Sequence, residues 1–343
     1  MRRLRSSCFV TYKPDAGPIT GPLFAWGPAL TRERRTEQAP EPLLAGFGQP
    51  RRVLVAGATG FMGQHLVRRL LGRGHQLRAL ARRPLRGSWG GDVEWWPADV
   101  TNEGSLHGAA EGCDVIVDLV GIAWPDRDQG YQDVHVDGTD NLLLEAHRAG
   151  VDRLVFVSTL GASTSGGPYF STKYEAERRI RDSGIDFVIF RPSIVYGPGD
   201  HFTTAIVDLL RRLPVFPILG FVRSRLQPVA IEDITDALVQ AVERPDLSAR
   251  TFEIAGPERL EFAKIVRIVA KALGVRRPVV KLPRTMSTQA LWVAARLGLP
   301  QPITPDQLAM FKGASVLKRR MNPLRSVFNL EPLPFRVAVR DYL

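Results

Sequence analysis

The chain has 343 residues, 44% hydrophobic, 24% charged and 8% aromatic, the balance of a globular protein with one large domain or two modest ones. No apolar run reaches the roughly 18–20 residues that cross a bilayer, and Cys8 and Cys113 have no partners at metal-ligand spacing, which argues against a membrane helix, a disulfide scaffold and a metal module. The net charge is +11, and it is concentrated: residues 261–343 hold 15 Lys and Arg against four acids, while the rest of the chain is balanced.

Residues 1–50 alternate prolines with glycines and show no sustained period, so a disordered extension is expected. The opening MRRLRSSCF is Arg-rich but lacks the apolar core of a secretory signal, and the ordered pattern begins abruptly at Arg51, as it would if translation started downstream. From there short β-branched runs alternate with helical periods. Strands are predicted at 52–56, 76–81, 93–96, 114–119, 153–158, 187–191 and 251–254. Helices are predicted at 62–71, 130–149, 168–183, 203–212, 228–243 and 261–273, with two more at 287–297 and 304–311. Nearly continuous apolar strands between helices imply a doubly wound parallel α/β sheet covered on both faces. The expected organisation is a dinucleotide-binding domain over 51–256, a contribution from 197–226 to a smaller cap, and a basic C-terminal cap region over 257–343.

The strongest local signal is VLVAGATGFMG, residues 53–63. A strand ends at Ala56, glycines follow at Gly57, Gly60 and Gly63, and a helix begins at once. Gly57 permits a tight turn, Gly60 lets backbone approach a pyrophosphate, and Gly63 lets helix and strand pack closely. An NAD site usually has an acid at the end of the second strand, but this strand runs out as Ala81-Arg82-Arg83-Pro84. Paired guanidiniums suit a 2′-phosphate, so NADP(H) is favoured and NAD(H) stays open. The competing view is that both arginines are solvated loop residues. Asp99, closing the third strand, is suited to accept from the adenine amino group or to cap a turn.

A second signal is GGPYFSTKYEAE, where Tyr169 and Lys173 stand four residues apart on a predicted helix just after the fifth strand. Lys173 is expected to lower the Tyr169 phenol pKa and to hydrogen-bond the nicotinamide ribose, leaving a tyrosine that moves a proton at a carbonyl or carbinol while hydride moves to or from the cofactor. Ser158 and Thr159, at a strand end in FVSTLGAS, are candidates to hydrogen-bond the reacting oxygen or simply to cap that end.

Taken in order, G-x-x-G-x-x-G, ADV, DLVG, HVDGTDNLL, Tyr-x-x-x-Lys, RPSIVYGPGD, LQPVAIEDITDAL and TFEIAGPE resemble the short-chain dehydrogenase/reductase superfamily in its extended or atypical branch. The subgroup they look most like is named after the NADPH-binding accessory subunit of respiratory complex I and sits among the NAD-dependent epimerase/dehydratase proteins. The resemblance covers about 51–343. It implies that Gly57, Thr59, Gly60, Phe61, Met62 and Gly63 line the pyrophosphate, that Arg82, with Arg83 beside it, lies near the 2′-phosphate, and that Asp99 and Val100 lie near the adenine. It also implies that Leu119, Val120 and Gly121 lie near the adjoining ribose, that Pro192 and Ser193 lie near the nicotinamide, and that Tyr169 and Lys173 are the catalytic pair. The family serine falls at Ser158 or Thr159. The asparagine of its N-V-x-G-T motif is His135 here, expected on the helix surface rather than in catalysis.

The leading expectation is an NADP-dependent oxidoreductase acting on a small molecule, anionic or quinone-like. A non-catalytic NADPH-binding module is the second, docked through the basic C-terminal region on a respiratory or membrane-associated complex. A nucleotide-sugar epimerase or dehydratase is the third. Nucleic acid is not an expected partner; the resemblance permits a homodimer, and the expected location is the cytoplasm or the membrane periphery.

Overall fold

The computed structural model describes residues 49–83, 89, 91–123, 125, 129–218, 225–283, 316–318 and 321–343. The N-terminal extension, the helices expected at 287–297 and 304–311, and Arg319-Arg320 of the basic region lie outside the described residues.

Seven parallel strands form the central sheet: β1 Arg52–Ala56, β2 Gln76–Ala81, β3 Val93–Pro97, β4 Val115–Asp118, β5 Arg153–Val157, β6 Asp186–Pro192 and β7 Arg250–Ile254. Their spatial order is β3-β2-β1-β4-β5-β6-β7, so the direction of winding reverses between β1 and β4. Among the described residues six helices of more than ten residues accompany them: α1 Phe61–Leu71, α2 Gly138–Ala149, α3 Pro168–Asp182, α4 His201–Arg212, α5 Ile231–Glu243 and α6 Phe262–Ala272.

The apolar runs explain the layering. Alternate residues of a strand face opposite sides, so Val53 and Val55 meet α1 and α5 through Leu66, Val67, Leu70, Ile234, Leu238 and Val242. Leu54, Ile116, Leu154 and Phe156 meet α2 and α3 on the other face through Leu142, Ala146, Ala176 and Ile180. Every one of these side chains is at most 1% exposed, which is why the strands read as continuous hydrophobic runs. At one edge β3 is half open, with Trp95 exposed and Pro97 closing the strand, where a missing N–H costs no ladder bond.

A separate apolar cluster joins α4 and α6 to Phe216, Ile218, Leu226 and Phe335. The chain then doubles back: Leu324 and Phe328 pack on the α1/α5 face of the main sheet, where Phe328 meets Phe190 on β6 and Phe252 on β7 at ring-centroid distances of 5.6 and 5.0 Å. No helix among the described residues is long and apolar enough to cross a membrane.

The helix expected over 130–149 is not uniform. It opens as a π-helical stretch, Gln132–Asp137, before becoming α2. In that wider turn three consecutive residues, Val134, His135 and Val136, are all buried. His135 is 1% exposed, so the expectation of a surface histidine is corrected: the extra residue per turn rotates it inward.

Candidate functional site

The carboxyl ends of β1, β4, β5 and β6 lie side by side, with Ala56 in register with Asp118, Asp118 with Phe156, and Val157 with Phe190. Doubly wound sheets bind ligands at this reversal of winding, and the predicted residues converge there. Gly57 has φ +80°, a conformation that side chains resist, and an added Cβ would lie 3.1 Å from the Leu119 carbonyl carbon. Thr59 and Gly60 are exposed, Phe61 and Met62 are partly buried, and Gly63 is buried against the Gly57–Ala58 backbone. Gly60 is the N-cap of α1 and supplies no side-chain cap, so the helix presents the unpaired N–H groups of its first turn towards the turn. This cradle fits a pyrophosphate.

Along the β2 and β3 ends, Arg82 and Arg83 are both exposed. The Arg82 guanidinium stands 3.7 Å from the Asp99 carboxylate and donates to the Gln129 amide oxygen at 3.4 Å. Asp99 accepts from the Thr101 N–H at 3.0 Å, the Thr101 hydroxyl at 2.9 Å and the Gln129 amide at 3.1 Å. Burial raises its carboxyl, but these bonds and the Arg82 charge outweigh that and hold it below the usual carboxylate range. Asp99 thus shapes its turn and still presents a negative edge. Val100 is buried against Gly138, and Gln129, which bridges Arg82 and Asp99, was not among the predicted residues.

The turn after β4 is held by one last backbone bond to β1 and then by side chains. The Leu119 N–H donates to the Ala56 carbonyl at 3.0 Å, and the Val120 N–H donates to Asp118 at 2.9 Å. Lys173 donates to the Val120 carbonyl at 2.9 Å and to the Val157 carbonyl at 3.2 Å, with Gly121 exposed beside it. Its ammonium lies 4.8 Å above the Phe156 ring and is 3% exposed. Burial lowers the Lys173 pKa from 10.5 to about 8, while Asp118 and Glu177 oppose the shift. Between about 8 and 10.5 the unfolded chain therefore binds more protons than the native one, so native stability should rise with pH across that window. Urea titrations at the two ends of the window, with Lys173→Met as the variant that loses this slope, check it.

Pro168 at the first position of α3 and Gly167 at φ +89° before it set the start of that helix, and with it Tyr169. Tyr169 is partly buried within a ring cluster: Tyr131 at 5.7 Å, His135 at 5.6 Å and Phe170 at 5.4 Å, all edge-to-face. The expectation that Lys173 depresses the phenol is corrected here. Burial pushes the Tyr169 phenol up, the nearby Thr159 hydroxyl partly offsets it, and the lysine ammonium is occupied by two carbonyls.

Ser158 and Thr159 go opposite ways. Thr159 acts on the Tyr169 phenol, pulling it down against burial, whereas the buried Ser158 hydroxyl donates to Glu177 at 2.6 Å. Glu177 is fully buried and also accepts from Arg191 at 2.6 and 2.7 Å and from Arg181 at 2.7 Å. Burial raises this carboxyl, but Arg191 and Ser158 outweigh it and keep it ionised. Pro192 and Ser193, at the end of β6, are buried; the Pro192 carbonyl accepts from Leu160, and the Ser193 N–H donates to Ile254. Among the described residues no group of acids, histidines and cysteines could hold a metal ion.

Fold and cradle together define an NAD(P)-binding α/β protein of the reductase and epimerase type. Residues 57–208 match the family described as NAD(P)H-binding. The ceramide reductase of Caulobacter vibrioides is 32% identical over 234 residues, 67% of this chain and 73% of that protein. The chain belongs to the short-chain dehydrogenase/reductase superfamily, in its extended branch with the NAD-dependent epimerases. Mouse mitochondrial NADH dehydrogenase [ubiquinone] 1 alpha subcomplex subunit 9 is 29% identical over 227 residues, 63% of this chain, which spans 59% of that subunit. An NADPH-dependent quinone oxidoreductase from Escherichia coli, solved with NADPH, shares the fold at a TM-score of 0.68 and 19% identity, over 84% of this chain and 98% of that one.

Proposed function

We propose that the protein is an NADP(H)-dependent reductase of a small carbonyl compound, with Tyr169 as the general acid. One observation carries this reading: the Tyr169 ring packs edge-to-face on Tyr131 and His135, and Lys173 stands one turn further along α3, donating to the Val120 carbonyl in the turn after β4. Thr159, rather than Ser158, is the residue that shares the reacting oxygen with Tyr169, because the Ser158 hydroxyl is committed to Glu177. Bound NADPH would supply the hydride. Gly57, Thr59, Gly60, Phe61, Met62 and Gly63 would hold its pyrophosphate, Arg82 and Arg83 the 2′-phosphate, Asp99 and Val100 the adenine. Leu119, Val120, Gly121 and Lys173 would line the ribose next to the nicotinamide, with Pro192 and Ser193 beyond. As the C–H bond forms and the carbonyl π pair moves to oxygen, Tyr169 gives that oxygen its proton. A phenol kept protonated by burial is in the right state to donate. Oxidation of NADPH against a panel of long-chain ketones, aldehydes and quinones tests the reading; no turnover on any of them would count against it.

The missing acid on β2 and the exposed Arg82 support NADP(H) over NAD(H). A charged hydrogen bond to the 2′-phosphate contributes about 1.5–3 kcal/mol, so NADPH should bind roughly tenfold or more tighter than NADH, and Arg82→Ala should bring the two together. Calorimetric titration of both cofactors into both proteins checks this. A second reading, an NADPH-binding module docked on a larger complex, is supported by the respiratory-complex relatives and by the basic residues 261–343. Under it Tyr169→Phe would be silent.

A further inference from the structure

His135 stands where the family pattern has asparagine. It is buried, yet it is not part of an ion pair. Its Nε2 accepts the Ile122 N–H at 3.2 Å, so that nitrogen carries no hydrogen. The ring proton is therefore on Nδ1, 3.0 Å from the Thr172 hydroxyl, which in turn donates to the Pro168 carbonyl at 2.8 Å. Every donor in this line has an acceptor, and only one neutral tautomer satisfies it. The ring stacks on Tyr131 at 5.5 Å and 26° and meets the Tyr169 ring edge-to-face.

Protonation would break this arrangement. A second ring N–H would face the Ile122 N–H, and the charged group nearby is Lys173 from α3. A Cβ on Gly121 would lie 3.2 Å from the Lys173 nitrogen and 3.6 Å from His135 Nε2, so the two nitrogens flank the same glycine. Burial and then Lys173 pull the imidazole pKa down to about 2. From the other sides Tyr131 and Tyr169 present uncharged rings.

We propose that His135 is a positioning residue: a permanently neutral imidazole that clamps the Ile122 end of the turn after β4 and packs the Tyr169 ring, so that the cofactor's ribose meets a preset wall. The π-helical stretch supplies the rotation that brings it there. His135 is then not a proton carrier, although it sits beside the general acid. The proposal rests on the reading above for the role of that turn and of Tyr169.

Three measurements on the full chain test it. Nitrogen-15 NMR of the wild-type imidazole should show a neutral ring protonated on Nδ1 at every pH from 5.5 to 8. His135→Phe keeps a ring but leaves the Ile122 N–H without an acceptor, so NADPH affinity should fall by about 5- to 100-fold and the Ile122 amide should exchange faster. His135→Gln returns an acceptor near the Nε2 position and should restore both to within about threefold of wild type. An imidazole that titrates near 6.5, or one protonated on Nε2, overturns the proposal. So does wild-type NADPH affinity in the Phe variant, or equal loss in the Phe and Gln variants. Affinity and exchange are read without any substrate; an active Tyr169→Phe would therefore remove the catalytic reading and leave the clamp standing.

Discussion

Tyr169→Phe should lower turnover by about 10²–10⁴-fold, the usual contribution of general acid–base catalysis, while NADPH binds almost as before. The substitution removes the phenolic oxygen alone. The ring keeps its edge contacts with Tyr131, His135 and Phe170, so the cluster that shapes the pocket stays packed. Thr159 lies at a partly open strand end that water can reach. Equal losses in kcat and kcat/KM, with an unchanged calorimetric Kd for NADPH, are the expected pattern. Wild-type kcat in this variant would remove Tyr169 from the chemistry and favour the docking module.

Alanine at Gly63 and at Gly60 should separate fold from ligand within one motif. A Cβ on Gly63 would sit 2.2 Å from the Gly57 carbonyl oxygen and 2.6 Å from that of Ala58. Both are backbone atoms of the turn that ends β1, so nothing can swing aside. Overpacking of this kind costs about 3 kcal/mol or more, and the melting temperature should drop by roughly 5–10 °C with loss of NADPH binding. At Gly60 the backbone has φ −71°, and the nearest contact for a Cβ is the Gly57 oxygen at 3.2 Å. Gly60→Ala should therefore keep the wild-type melting temperature and lose affinity, because the methyl stands where the pyrophosphate would approach. Thermal scans with and without NADPH distinguish the two; a stable Gly63→Ala protein would refute the packing argument.

The sheet was legible in the chain because strands buried on both faces must be apolar through their middles, and β1, β4 and β5 are apolar but for Arg52, Asp118 and Arg153 at their ends. The cradle was legible because a turn at φ +80° and a helix lying against a strand both demand glycine, and those demands fall at Gly57 and Gly63. What escaped the sequence depends on direction rather than on residue type. Ser158 and Thr159 are neighbours at a strand end, and neighbours point to opposite sides, so offset counting could not decide which faces Tyr169. His135 was misplaced because a 3.6-residue period has no means of anticipating a π-helical turn. The pull on the Tyr169 phenol was misjudged for a third reason: Lys173 had carbonyls to satisfy, and only the packed structure reveals them.

The return of Leu324 and Phe328 to the main sheet bears on how the protein is made. By the time Ile254 leaves the ribosome all seven strands exist, but Phe190 and Phe252 still lack the ring that covers them. Helix α6, part of the separate apolar cluster, has to be synthesised, and has to fold out of the way, before that ring arrives. A fragment ended just after β7 would thus carry a complete sheet with an uncovered aromatic face, open to self-association. The sheet is contiguous as a list of strands and discontinuous as a folding unit, since its last described core residues, Leu324 and Phe328, come well downstream of β7.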